Sequence, residues 1–312
     1  MGIKILGTGW AVPGRCVTNA ELEKTVDTSD EWIRTRTGIG QRYLSDGETT
    51  SALGTRAVQD ALAHAGVEAG AVDCIIAATF TCETMTPSCA CLIQEHLGLS
   101  DKPVMAFDVN AACSGYIYAM NIASALLASG QVRCACIVGV ETLSNVTNWE
   151  DRSTCVLFGD GAGAAVLKWD ASTTSHFFTA AAGDASGILE ARAFPVRTPI
   201  VMEGNKVFRF ATKAMAGAVD EILKRSGLTI GDIDWIVPHQ ANLRIIDYVT
   251  KKSGIDPERV YVNIERFGNT SSASVAIAFA ELMEKGLASQ GMRIILVGFG
   301  AGFTWGAALL EI

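Results

Sequence analysis

The chain has 312 residues, enough for one large α/β domain or two of ordinary size. Hydrophobic residues make up 49 % and charged residues 19 %, which points to a large buried core and away from long disordered tails. The net charge of −8 weighs against a general nucleic-acid or anionic-membrane binder.

The opening stretch MGIKILGTGWAVPG reads as a first strand and turn. It lacks the charged start, long apolar centre and small-residue cleavage site of a secretion signal. No apolar run reaches the ~18–20 residues that a membrane helix needs. The nine cysteines therefore read as reduced thiols of a cytoplasmic protein. Cys89/Cys91 and Cys134/Cys136 are C-x-C pairs, not the C-x-x-C pairs of zinc or redox sites, so no metal is expected. G-x-G follows the first strand, but Val12 stands where a dinucleotide loop needs its third glycine. That turn, and GDGAG at 159–163, read as close packing instead.

Residues 51–66 place Leu53, Ala57, Ala61 and Val58, Leu62, Ala65 at helical spacings, with Gly66 as the C-cap. VDCIIAATF (72–80) then reads as a strand covered on both faces. The next strand, PVMAFDV (103–109), runs into Asn-Ala-Ala-Cys113 and a helix over 114–130. A cysteine at a helix N-terminus faces unpaired N–H groups and the positive end of the dipole, which favour thiolate. A structural thiol in a small-residue turn is the competing reading.

A second helix–strand unit follows. AVDEILKRSGLTIGDIDWIV (218–237) aligns on AVQDALAHAGVEAGAVDCII (57–76) with an offset of 161. RCACIVGVET (133–142) resembles MRIILVGFGA (292–301) with an offset of 159. Two segments at nearly one spacing predict a duplicated α/β unit, with halves at 1–168 and 169–312. The offset carries the Cys113 junction onto FGNTSSAS (267–274), where Asn269 precedes a clear helix. Asn269 is either a helix cap or a functional group at the equivalent junction. His239 leaves the second unit's strand just after Pro238, at the strand end where open α/β sheets bind ligands. His64 and His96 sit near helix ends and His176 in a polar stretch, so their expected roles are structural.

Cys, His and Asn serve two kinds of chemistry. In a hydrolase, His deprotonates Cys and Asn orients the His. In a carbon–carbon-forming enzyme, the His and Asn N–H groups hold an enolate oxygen.

DVNAACSGY, DRSTCVLFGDGAGAAVL, VPHQANLRII, GNTSSAS, GFGAGFTWGAALLEI and the early DTSDEWIRTRTGI together resemble β-ketoacyl-ACP synthase III of the thiolase superfamily. The resemblance runs through the whole chain in order. It implies a layered α-β-α-β-α thiolase-like fold, a homodimer, and a Cys113–His239–Asn269 triad. Acyl-CoA and malonyl-ACP are the implied partners, with no cofactor beyond the CoA thioester substrate. The backbone amides of Cys113 and Gly302 are the implied oxyanion donors. Trp32 and Arg152 are expected to hold the CoA adenine, with Arg36, Asn242 and Arg244 at the same entrance. Gln240, Arg209, Lys213, Arg244 and Lys251, with Lys252, are expected to meet the acidic carrier protein. Thr86 stands where straight-chain relatives often carry phenylalanine, and is expected to border the acyl pocket across the dimer interface. A relative priming a polyketide, quinolone or other secondary pathway is the nearest alternative, and a Cys–His–Asn thioester hydrolase a remote one.

Overall fold

The computed structural model describes residues 1–193 and 195–312. The first half runs through β1 (Gly2–Ala11), the paired β2 (Arg15–Thr18) and β3 (Gln41–Leu44) with α1 (Asn19–Leu22) and α2 (Asp30–Thr37) between them, and α3 (Thr50–Ala65). It continues through β4 (Cys74–Ala78), α4 (Cys89–His96), β5 (Met105–Val109), α5 (Gly115–Ala128), β6 (Ala135–Glu141), α6 (Arg152–Cys155) and β7 (Gly161–Asp170). The second half runs through β8 (Ser175–Ala181), the short pair β9 (Leu189–Glu190) and β10 (Val201–Met202), α7 (Gly204–Ser226) and β11 (Trp235–Pro238). It ends with α8 (Leu243–Ser253), α9 (Ile264–Phe267), α10 (Ser272–Glu284), β12 (Arg293–Gly300) and β13 (Thr304–Glu311).

The two main sheets repeat one another. The first has the order β1-β7-β6-β4-β5 and the second β8-β13-β12-β11. In both, the inner pair is parallel (β4 with β6, β11 with β12) and the next strand antiparallel. The fifth strand of the first sheet has only a remnant in the second, a single parallel bridge between Ile236 and Val260. The sheets change over in the turn after β7, which runs through Asp170.

Side-chain alternation makes the layers. In β4, Ile76 faces inward with α5 and α10, while Ile75 and Ala77 face α3. In β12, Ile294 and Leu296 face the same central helices, while Ile295 and Val297 face α7 and α8. The stack is therefore α3/α4, sheet, α5/α10, sheet, α7/α8, the layered α-β-α-β-α architecture expected from the resemblance. α10 is buried at every position from Ser272 to Leu282, as a helix between two sheets must be. The two glycine motifs are packing devices. A Cβ at Gly9 would strike α3 at Ala61, and one at Gly163 would lie 2.5 Å from the Ala276 carbonyl carbon of α10. Among the described residues no helix is long and apolar enough to cross a membrane.

Candidate active site

Cys113 sits in a single 3-10 turn, Ala112–Ser114, directly ahead of α5. The turn enters through Ala112 at φ +46°, a left-handed conformation for a residue with a Cβ. The second half clamps it. The Ser114 hydroxyl lies 2.8 Å from the Ala111 carbonyl and 2.8 Å from the Thr304 hydroxyl, and Thr304 donates to the same carbonyl at 2.8 Å. A Cβ at Gly300 would lie 2.6 Å from the Cys113 nitrogen, so only glycine lets β12 approach this closely. Among the described residues neither the Cys113 nor the Gly302 amide has an acceptor, which leaves both for a substrate oxygen.

His239 extends β11 by one residue, its amide donating to the Val297 carbonyl at 2.8 Å. Its ring is 1 % exposed, packs edge-on to Phe299 at 5.4 Å, and neither ring nitrogen has a hydrogen-bond partner. A buried imidazole with both nitrogens idle is costly unless a ligand completes it. Burial pushes its pKa down to about 3, so the ring is neutral at working pH. It neighbours the nucleophile: a Cβ at Gly298 would sit 3.6 Å from both the His239 Cβ and the Cys113 carbonyl oxygen.

Asn269 is held by its backbone against residues 157–159, its amide donating to Leu157 and its carbonyl accepting from Gly159. Its Oδ1 accepts the Ser271 amide at 2.9 Å, which leaves the Nδ2 hydrogens for the cavity. Asn269 is not the cap of α10, a place that Ser271 takes; its side chain steadies the turn ahead of the helix and lines the cavity.

The three side chains line one cavity of 540 Å³. Phe80, Leu143, Phe158, Leu189 and Ile200 give it an apolar wall, and Phe208 and Asn242 also face it. The sequence does not reveal the shape of 184–205; of its described residues Asp184, Leu189, Glu190, Ala191, Ile200 and Met202 line the cavity.

Two expectations change, and a third, Thr86, stays where a partner chain would have to meet it. Cys113 is not a resting thiolate: burial pushes the thiol up to about 12, and the Glu141 carboxylate adds to this, against a lowering contact with Ser271. Proximity to a helix start does not offset that much desolvation. Gln240 is not a carrier-protein contact. It is 1 % exposed, donates to the Pro238 and Tyr261 carbonyls, and accepts the Asn263 and Ile264 amides at 3.0 and 3.1 Å. The strand exit turns it inward, where it ties the His239 loop to α9. Thr86 lies in an exposed loop beside Met85, which is 94 % exposed, and does not line this chain's own cavity.

The outer residues form a separate cluster. The Arg152 guanidinium lies over the Trp32 ring at 4.9 Å and that of Arg36 at 5.5 Å. Arg152 also donates to the Asp27 carbonyl at 2.7 Å. Asn242 caps α8 and donates to the Arg36 carbonyl at 3.1 Å, joining this cluster to the cavity wall. Arg244 lies over Phe208 at 5.6 Å. Arg209 and Lys213 on α7 are exposed, as are Lys251 and Lys252 at the far end of α8, roughly 10 Å from Arg244 along the helix. Sequence reasoning missed Phe80, Phe158, Phe208 and Ser271 in the lining, and behind them Glu141, fully buried at the end of β6 and bonded to Ser271.

Residues 107–186 match the family model for 3-oxoacyl-[acyl-carrier-protein (ACP)] synthase III, and residues 223–312 match that of its C-terminal part. A β-ketoacyl-[acyl-carrier-protein] synthase III of Clostridium perfringens is 46 % identical over 99 % of both chains. The chain belongs to the 3-oxoacyl-ACP synthase III family. The solved 3-oxoacyl-[acyl-carrier-protein] synthase III of Aquifex aeolicus covers 100 % of both chains with a TM-score of 0.96 at 42 % identity. A priming β-ketosynthase from the R1128 polyketide pathway has the same fold, with a TM-score of 0.94 at 37 % identity over 99 % of this chain and 96 % of that one. As a synthase III the protein is an acyl-transferring condensing enzyme that initiates fatty acid synthesis.

Proposed function

We propose that Cys113 carries an acyl group from acyl-CoA to malonyl-ACP. The thiol sulfur bonds to the acyl carbon and the bond to the CoA sulfur breaks. The thiol proton leaves with CoA, so free CoA–SH departs. Malonyl-ACP then binds, its carboxylate carbon–carbon bond breaks, and carbon dioxide leaves. The electron pair stays behind as an enolate, whose oxygen takes hydrogen bonds from His239 and from Asn269 Nδ2. The enolate carbon attacks the Cys113 thioester. The tetrahedral oxyanion is held by the Cys113 and Gly302 amides until the Cys113 sulfur leaves as thiolate and takes up one proton from solvent, giving 3-oxoacyl-ACP and restoring the thiol.

The observation that carries this reading is His239, buried and neutral with both ring nitrogens unpartnered. In a hydrolase triad Asn269 would orient His239, but its side-chain oxygen is committed to Ser271. Neutral donors in an apolar cavity suit an enolate, because they stabilise new charge without an existing ion to desolvate. Nothing in these steps calls for a metal or redox cofactor.

Trp32 and Arg152 hold the adenine of CoA in this reading. They touch one another at 4.9 Å, so the guanidinium swings aside to admit the ring. Arg36, Asn242 and Arg244 line the way in, and Arg209, Lys213 and Arg244 meet the carrier protein, with Lys251 and Lys252 at its margin. The working unit is a cytoplasmic homodimer, in which the exposed Thr86 loop reaches the partner's acyl pocket. A small Thr86 there favours a branched or longer primer.

Mass spectrometry tests the reading. Acyl-CoA should add one acyl group to Cys113, and Cys113→Ala should remove the adduct. Malonyl-ACP should then release carbon dioxide and form 3-oxoacyl-ACP; free acid as the product would favour a hydrolase instead. Comparing acetyl-, isobutyryl- and octanoyl-CoA tests the Thr86 reading, which strict acetyl preference would sink.

A further inference from the structure

Glu141 ends β6 with its carboxyl group fully buried. It is bonded by two segments, one 60 to 62 residues before it and one 130 to 131 residues after it. Oε2 accepts from the Thr79 hydroxyl at 3.1 Å, the Phe80 amide at 3.3 Å and the Thr81 hydroxyl at 2.5 Å. Oε1 lies 3.2 Å from the Ser271 hydroxyl and 3.0 Å from that of Ser272. The first set follows β4; the second opens α10.

The Ser272 hydroxyl also lies 2.7 Å from the Ala78 carbonyl. One hydroxyl proton cannot serve both acceptors fully. A protonated Oε1 resolves the conflict by donating to Ser272. Burial supports that form, since it holds the carboxyl at about 7.

Ser271 links this group to the reacting atoms. Its backbone stands at φ +51°, a left-handed conformation that a serine keeps only where its surroundings impose it. Its amide holds Asn269 Oδ1, and its hydroxyl makes the contact that lowers the Cys113 thiol. The groups facing the carboxyl from residues 79–81 and 271–272 are neutral hydroxyls and one amide. The titratable group within its reach is Cys113, ahead of α5.

We propose that Glu141 is a positioning residue for condensation: its one carboxyl group fixes the Ser271 turn against the first sheet, aims the Asn269 amide through it, and sets the charge that the Cys113 thiol meets. The proposal rests on the reading of Cys113 as acyl acceptor and Asn269 as enolate donor. Acylation of the unaltered chain tests that reading separately.

The experiment compares the full chain with Glu141→Gln and Ser271→Ala. Alkylation of Cys113 by iodoacetamide is followed across pH by peptide mass, and condensation with malonyl-ACP is measured alongside. Above about pH 7, where the thiol is titrated, the Glu141 carboxyl is ionised; Glu141→Gln removes that charge, so the alkylation midpoint should fall by roughly half a unit to one unit. Condensation kcat should fall about ten-fold as the Asn269 amide loses its aim, with the malonyl-ACP KM within about two-fold. Ser271→Ala keeps the charge but loses the link. It should lower kcat similarly while the midpoint stays or rises. Unaltered kcat and midpoint in Glu141→Gln overturn the proposal. So do losses of kcat with unchanged midpoints in both variants, which would leave Glu141 a packing group. If Glu141→Gln does not fold, Ser271→Ala decides: wild-type kcat there removes the path from Glu141 to the site.

Discussion

Gly300 presses its α-carbon against the backbone of Cys113, so that a methyl group there would lie 2.6 Å from the Cys113 nitrogen and 2.9 Å from the Ala112 Cβ. Gly300→Ala must therefore push the nucleophile's turn away from β12. The expected result is an acylation rate reduced at least about ten-fold, with roughly 1–3 kcal/mol of stability lost. Gly298→Ala meets its nearest atoms at 3.4 Å, an ordinary contact, and is the control that should keep most activity. Stopped-flow acylation of both variants decides the point; equal rates would refute the close-approach argument.

His239→Ala separates the two half-reactions. It should still take up an acyl group on Cys113, because acyl transfer needs no enolate donor. Release of carbon dioxide from malonyl-ACP should fall about a hundred-fold. Because burial holds His239 at about 3, the kcat profile of the unaltered enzyme should show no histidine inflection between about pH 5 and 8. An unimpaired decarboxylation rate in the variant would remove His239 from the enolate step.

The Trp32–Arg152 stack predicts a binding defect. Trp32→Ala should raise the acyl-CoA KM about five- to ten-fold with kcat little changed. Arg152→Lys should not restore the flat guanidinium face, so it should resemble Arg152→Ala. Steady-state kinetics with acyl-CoA varied checks this, and a KM unchanged in all three variants would move CoA elsewhere.

Gln240→Ala should act on stability and not on carrier recognition. It strands the buried Asn263 and Ile264 amides, which now donate to its oxygen. The expected loss is about 2–4 kcal/mol in urea unfolding, with the malonyl-ACP KM unchanged where the protein is folded. A normal stability with a raised KM would return Gln240 to the carrier interface.

The buried Glu141 carboxyl gives stability a pH dependence. Its folded value of about 7 stands above the ordinary 4.5. A raised acid contributes stability below its unfolded value, and that contribution is lost as pH rises through the folded value. Between about pH 5 and pH 8 the unaltered chain should lose up to about 3 kcal/mol relative to Glu141→Gln. Urea unfolding of both at each pH measures the change, and a pH-independent difference would contradict the burial argument.

Much of the site was legible because its residues stand at marked junctions. Pro238 marks the exit at His239, small residues surround Cys113, and the repeat placed Asn269 at the matching turn. The same repeat foretold the sheets, down to β11 answering β4 and β12 answering β6. What failed was whatever depends on the side a group faces. Gln240 follows His239 in an apolar strand exit, and nothing local says that it turns inward. The Cys113 thiol sits beside a helix start as expected, but the desolvation that raises it comes from distant chain. Glu141 ends an apolar strand with nothing local to mark it as buried; its partners Ser271 and Ser272 are 130 and 131 residues away.

The clamp between Ser114 and Thr304 joins residues 190 positions apart. During synthesis the thiol therefore leaves the ribosome long before the strands that shape its surroundings. Until β12 and β13 dock, Cys113 has neither its neighbouring imidazole in place nor the closed apolar wall. The nucleophile's turn therefore takes its final shape only when nearly the whole chain has been made, since its clamp at Thr304 opens β13, the last strand.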